Sequence, residues 1–130
     1  MNTYNESSNR TFLEASAGAL DNKERHAVAL DSAENTVRLA ADADEAIGTM
    51  RSKLQNGAQG DGAVNISLIG STEKVVAGEA IAKGERVKAG ADGRYITAAT
   101  GDRSLGIKLT HGASTAGDII EIIKVVETAP

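Results

Sequence analysis

Residues 77–109 read AGEAIAKGERVKAGADGRYITAATGDRSLGIKL and consist of short strand patterns separated by turn residues. Arg86 to Ala89 alternates polar and apolar side chains, which is the pattern of a half-buried β-strand. The run GADG at 90–93 has turn chemistry, because glycine tolerates positive φ and aspartate bonds its own backbone. Tyr95 to Thr97 is rich in aromatic and β-branched residues, and Leu105 to Leu109 again alternates. The stretch therefore predicts three short strands joined by tight turns.

The same pattern occurs earlier in the chain at a nearly constant spacing. Val37 matches Tyr95 and, at the same spacing, Gly48 matches Gly106. Further along, the run VNI at 64–66 resembles the run IEI at 120–122, at a slightly shorter spacing. Because these matches keep their order over several predicted strands, they indicate an internal duplication. We expect two similar halves, at about 17–69 and 77–126, with one strand order and with the two glycines in equivalent places.

The composition predicts one small domain with a thin core. The chain has 130 residues, of which 41% are hydrophobic, but many of these are alanine and only 2% of the residues are aromatic. Such a core is built from valine, isoleucine and leucine and buries little area. Association with other chains is a common remedy for a small core.

Charge and residue types exclude several classes of function. The net charge of −4 argues against binding to nucleic acid. There is no cysteine, and neither His26 nor His111 stands in a metal-ligand spacing, so we expect no metal and no cofactor. No signal peptide and no long apolar run is present, so we expect a soluble protein of cytosolic origin that does not enter a membrane.

The N-terminal segment, 1–16, is polar and contains two of the three aromatic side chains, Tyr4 and Phe12. This segment is interpreted either as a frayed terminus or as an extended arm that docks on another polypeptide. In the second interpretation Thr11-Phe12-Leu13 pairs with a sheet edge of a neighbouring chain. The candidate contact residues are therefore Tyr4, Phe12 and Leu13, and residues 17–130 form a single β domain.

The longest apolar segment is DIIEIIKVV, residues 118–126. Its β-branched content favours a strand over a helix. Its near-continuous isoleucine and valine content is typical of a strand that is covered on both faces. Together with the shorter strands, it predicts an all-β fold: a small barrel or sandwich of about ten short strands.

The run AG-x-AI-x-KG-x-RV-K-x-G-x-DG-R-x-I, continued by A-A-x-x-GD-R-x-x-GI, resembles the head decoration (capsid cement) proteins of tailed bacteriophages. The resemblance is clearest over residues 77–126 and weaker over 17–68. It implies a structural protein of the virion that binds the major capsid protein on the outside of the assembled shell and stabilises it. It also implies a homotrimer, made in the host bacterial cytoplasm and without enzymatic activity.

Two other classes of function stay open from the residues. A small β-fold module that binds a sugar or another small ligand normally presents an aromatic platform, and the scarcity of aromatic residues argues against it. A small enzyme with a β-clip-like fold needs polar side chains that converge in a pocket, which the sequence does not exclude.

Overall fold

The computed structural model describes residues 9–16, 18–41, 46–53, 63–67, 72–112 and 115–129. These residues form ten β-strands and one turn of 3₁₀ helix, with no α-helix among them, so the all-β prediction is confirmed. The strands are β1 (Asn9–Glu14), β2 (Ala27–Leu30), β3 (Thr36–Leu39), β4 (Ala46–Lys53), β5 (Ala63–Ser67), β6 (Thr72–Val76), β7 (Arg86–Ala89), β8 (Tyr95–Thr97), β9 (Arg103–Lys108) and β10 (Ile119–Thr128), and the 3₁₀ helix is Ala91–Gly93.

The first five strands form a closed barrel in the order β1-β3-β2-β4-β5. It closes because β1 pairs antiparallel with β5 and, at its end, parallel with β3. Every second residue of these strands points inward, as the period of a strand requires. The interior of the barrel is filled by a small apolar core of Phe12, Leu20, Val28, Val37, Met50, Val64 and Ile66.

The other five strands form a second sheet in the order β6-β10-β9-β7-β8. Its two edge strands approach each other, because Ala77, just after β6, forms a parallel bridge with Tyr95 of β8. The second sheet is therefore strongly curled, with a concave inner face.

The two sheets have the same strand order, as the sequence match predicts. Strands β1 to β5 correspond, in chain order, to strands β6 to β10. Each pair of neighbouring strands in the barrel has its counterpart in the second sheet. Val28 pairs with Gly48 in the first sheet, and Val87 pairs with Gly106 in the second. A Cβ on Gly106 would lie 2.4 Å from the Ile123 carbonyl oxygen, so the close approach of β10 requires glycine there.

Residues 9–14 of the N-terminal segment belong to this repeated unit, which corrects the predicted division at residue 16. Glu14 of β1 pairs in parallel with Val37, just as Ala77 pairs with Tyr95. Phe12 is 5% exposed and lies in the core of the barrel. The prediction of an extended arm is therefore wrong for residues 9–14, because the apolar groove that Phe12 fills is provided by its own chain.

The inner face of the second sheet packs on the outside of the barrel. The barrel contributes small side chains there, which let the two layers approach closely: Ala27, Ala29, Ala40 and Ala46. The second sheet contributes larger ones, namely Val75, Val87, Tyr95, Leu105, Ile120 and Ile122. The barrel thus covers the concave inner face of the second sheet.

Among the residues that the structure describes, strand β10 is covered on one face only, which contradicts the prediction from its composition. Ile120 and Ile122 point toward the barrel and are buried, whereas Ile119 and Ile123 point away and are exposed. The second sheet is an outer layer, and no element of the described residues packs on its far side.

Candidate interaction surface

The far side of the second sheet carries exposed apolar side chains on β10, on the neighbouring strand β9 and directly after β9. Their exposed fractions are 58% for Ile119, 39% for Ile123, 36% for Val125 and 39% for Leu109. Ile107 lies half-buried among them, directly opposite Ile123. We call these five residues the apolar stripe. Exposed apolar patches often mark sites of protein–protein contact in soluble proteins.

Charged groups of both signs border the stripe. Arg86 of β7 pairs with Glu127 at 2.6 Å. Lys88 pairs with Asp102 at 2.9 Å, and the hydrogen bond from this lysine lowers the pKa of the Asp102 carboxyl. Glu121 lies on the outward face of β10 between Ile119 and Ile123, and Lys74 of β6 lies directly opposite it. The border therefore has no excess of one sign.

A polar cluster is buried where the second sheet meets the barrel. The Tyr95 hydroxyl and the Thr49 hydroxyl share a hydrogen bond of 2.5 Å, and the Lys124 ammonium lies 3.4 Å from the same Thr49 oxygen. Burial raises the pKa of Tyr95. Burial also lowers the pKa of Lys124 to about 8, although Glu73 opposes this shift. The cluster joins side chains from both layers, and its position between them suits a structural role rather than catalysis.

A second lysine, Lys108, is also buried on the inner face of the second sheet, at 2% exposure. Its ammonium donates hydrogen bonds to the carbonyl oxygens of Ile81 and Gly112. It therefore fixes the chain before β7 and the loop after β9. The strand alternation of β9 puts Lys108 on the face of Gly106, which is the one signal in the sequence for its burial.

No constellation for metal binding or catalysis is found in the described part of the chain. It contains no cluster of three or more histidine or carboxylate residues that would hold a metal ion. His26 is buried just before β2, with Nδ1 3.0 Å from the Glu24 carbonyl oxygen, and burial lowers its pKa. A groove of about 430 Å³ is lined by Lys83, Gly84, Glu85, Arg86, Ala98, Thr100 and Ala129. None of the described helical residues forms a helix long and apolar enough to span a membrane.

The fold is similar to that of a solved structure, the N base of the head fibre protein gp8.5 of bacteriophage phi29. The TM-score is 0.67, and the match covers 90% of this chain and 92% of the other chain at 13% sequence identity. No protein-family model matches the chain, and no curated protein matches it in sequence. At this identity the likeness establishes a shared fold. The solved structure belongs to a protein of a bacteriophage head, as do the decoration proteins that the sequence resembles.

The structure separates the candidate contact residues that the sequence predicts. Phe12 is buried in the barrel and is not available to another chain. Leu13, its neighbour on β1, points to the other side and is 39% exposed. Tyr4 lies outside the described residues. Sequence reasoning did not find the apolar stripe, because the same isoleucines and valines are equally typical of a strand buried on both faces.

Proposed function

We propose that this chain is a structural protein of a tailed-bacteriophage head that binds the outside of the assembled shell as a decoration protein. Its partner in this proposal is the major capsid protein, and it acts as a homotrimer. The observation that carries the proposal is the fold shared with the phi29 head fibre base over 90% of the chain. The resemblance of residues 77–126 to decoration proteins supports it independently of the fold.

The surface of the chain fits a protein that binds other proteins. The apolar stripe exposes large aliphatic side chains, which contribute free energy when another surface removes them from water. Its border holds both signs of charge, which gives orientation to a protein contact without attracting polyanions. Exposed Leu13 on the barrel is the second candidate contact, and it stands on a different sheet from the stripe.

The proposed mechanism is stabilisation by binding. A small protein that contacts several capsid subunits only in the mature, expanded shell lowers the free energy of that state by mass action. Three linked copies would bind the shell more tightly than one, since the second and third contacts form at high effective concentration. Stabilisation of the shell against internal pressure follows from these two effects.

A sugar-binding function has less support. Tyr95 is fully buried and Phe12 is 5% exposed, so neither aromatic side chain of the described residues forms a platform for a sugar ring.

The test is co-sedimentation of the purified chain with empty capsids of the phage that encodes it. We expect saturable binding to expanded capsids, weak binding to unexpanded ones, and a higher temperature of capsid disruption when the chain is bound. Serum albumin in place of the chain controls for trapping in the pellet. Absence of binding to expanded capsids, with the chain shown to be folded by circular dichroism, would contradict the proposal.

A further inference from the structure

The buried ammonium group of Lys108 has no counterpart in the first half of the chain. Gly48 and Gly106 are equivalent, so Lys108, two residues further along, takes the position of Met50. Met50 is 0% exposed and lies in the apolar core of the barrel. The repeat therefore fills one position with an apolar side chain in its first copy and with a charged one in its second.

The lysine costs more free energy to bury than the methionine. Its ammonium gives up its hydration and receives two carbonyl oxygens in return, those of Ile81 and Gly112. None of the ion pairs among the described residues involves Lys108. Because methionine fills the same position in the barrel, the packing of this core does not require a lysine. What the lysine adds is a fixed position for Gly112, in the loop between β9 and β10.

This loop is held at both of its ends. At its start, the Lys108 ammonium donates a hydrogen bond to the Gly112 oxygen. At its end, the Gly117 amide donates to the Ala77 oxygen at 2.8 Å, and the Ala77 amide donates to the Asp118 oxygen at 2.8 Å. Four described residues between these anchors are exposed: His111, Gly112, Thr115 and Ala116. A surface loop that is fixed before binding loses less conformational entropy when a partner binds it.

We propose that residues 110–112 and 115–117 of this loop contact an uncharged surface of the capsid protein, and that Lys108 positions them for this contact. The inference rests on the proposed function and names the segment that carries it out. Residues 109–117 contain no aspartate, glutamate, lysine or arginine, in a chain in which 25% of the residues are charged. Charged residues are depleted at the centre of protein–protein interfaces. A nucleic acid or an anionic membrane, in contrast, would find no cation in this segment.

The test gives the lysine position the residue of the barrel and measures co-sedimentation of the full chain with expanded capsids. Lys108→Met should bind at least about tenfold more weakly than the wild type. Its urea unfolding midpoint should stay close to that of the wild type, and hydrogen exchange of the loop amides should become faster. Lys83→Met is the matched control for the lost charge, because Lys83 is exposed, and it should bind as the wild type does. A folded Lys108→Met chain with wild-type affinity, or with weaker binding but unchanged exchange in the loop, would overturn the inference.

A second pair of variants decides the inference even if Lys108→Met does not fold. Gly112 has a φ of 76° and Gly101 a φ of 92°, and a Cβ added at either position meets nothing within 4 Å. Alanine therefore introduces a similar backbone strain at two exposed positions in different loops. Gly112→Ala should weaken capsid binding severalfold, whereas Gly101→Ala should bind as the wild type does. Equal affinities of these two variants would overturn the inference.

The same measurements separate this inference from the proposed function. If the wild type binds expanded capsids and the loop variants bind equally well, the inference is wrong and the proposed function is retained. If the folded wild type binds no expanded capsids, the proposed function is wrong and the inference falls with it.

Discussion

Arg25 adopts a left-handed backbone conformation, and the equivalent position in the second half of the chain is a glycine, Gly84. The φ of Arg25 is 69°, and the φ of Gly84 is 89°. The two positions are equivalent, because the Arg25 amide donates to the Met50 oxygen at 2.7 Å and the Gly84 amide donates to the Lys108 oxygen at 2.9 Å. Residues with a Cβ are strained in this left-handed region, and glycine is not.

This equivalence predicts opposite effects of two substitutions on stability. Gly84→Ala should lower the free energy of unfolding by about 1 kcal/mol, since a Cβ there meets nothing within 4 Å and only the backbone strain remains. Arg25→Gly should raise it by roughly 0.5 kcal/mol, because relief of strain exceeds the added freedom of the unfolded chain. Urea unfolding measures both values. A loss of stability in Arg25→Gly equal to that in Gly84→Ala would show that the arginine side chain, not its backbone, determines the effect.

Strand β1 closes the barrel, and its adjacent residues Phe12 and Leu13 point to opposite sides. Phe12 lies in the core of the barrel, whereas Leu13 lies at the surface. Phe12→Ala should lower the free energy of unfolding by about 3–5 kcal/mol, because it leaves a cavity in a core of seven side chains. Leu13→Ala, on the exposed side of the same strand, should change it by less than about 0.5 kcal/mol and should weaken capsid binding instead. Thermal unfolding and capsid co-sedimentation measure the two effects. A Phe12→Ala chain with wild-type stability would mean that β1 does not close the barrel.

The strands themselves could be predicted from the sequence, but the surfaces that cover them could not. Alternation and turn residues predict β7, β8 and β9, and the constant spacing of the matched positions predicts the shared strand order. Neither reveals that Phe12 fills the barrel, because its neighbours in sequence are polar and its contacts come from distant strands. The same holds for strand β10. A run of isoleucine and valine predicts a strand with two apolar faces but does not predict what packs on each face.

For the molecule as a whole, Lys124 makes the packing of the second sheet on the barrel dependent on pH. Its pKa is about 8 in the folded chain and 10.5 in the unfolded chain, so the unfolded chain binds more protons between these values. The free energy of unfolding should therefore rise with pH from 8 to 10, by up to about 3 kcal/mol over the full window. Above pH 10 it should fall, because burial raises the pKa of Tyr95 and only the unfolded chain ionises there.

Urea unfolding at a series of pH values measures this dependence. In Lys124→Met the rise between pH 8 and 10 should disappear, whereas Lys83→Met, at an exposed position, should retain it. Parallel pH profiles for the wild type and Lys124→Met would refute the assignment of the rise to this lysine.

The proposed function makes the chain a component of the outer surface of a phage head. The most direct measurement is a cryo-electron microscopy reconstruction of capsids with and without the bound chain, at a resolution that separates β-sheets. We predict additional density on the outside of the expanded shell, repeated over the icosahedral surface, into which the barrel and the second sheet fit as one unit. A reconstruction with no density outside the shell, or with density only inside it, would contradict the claim.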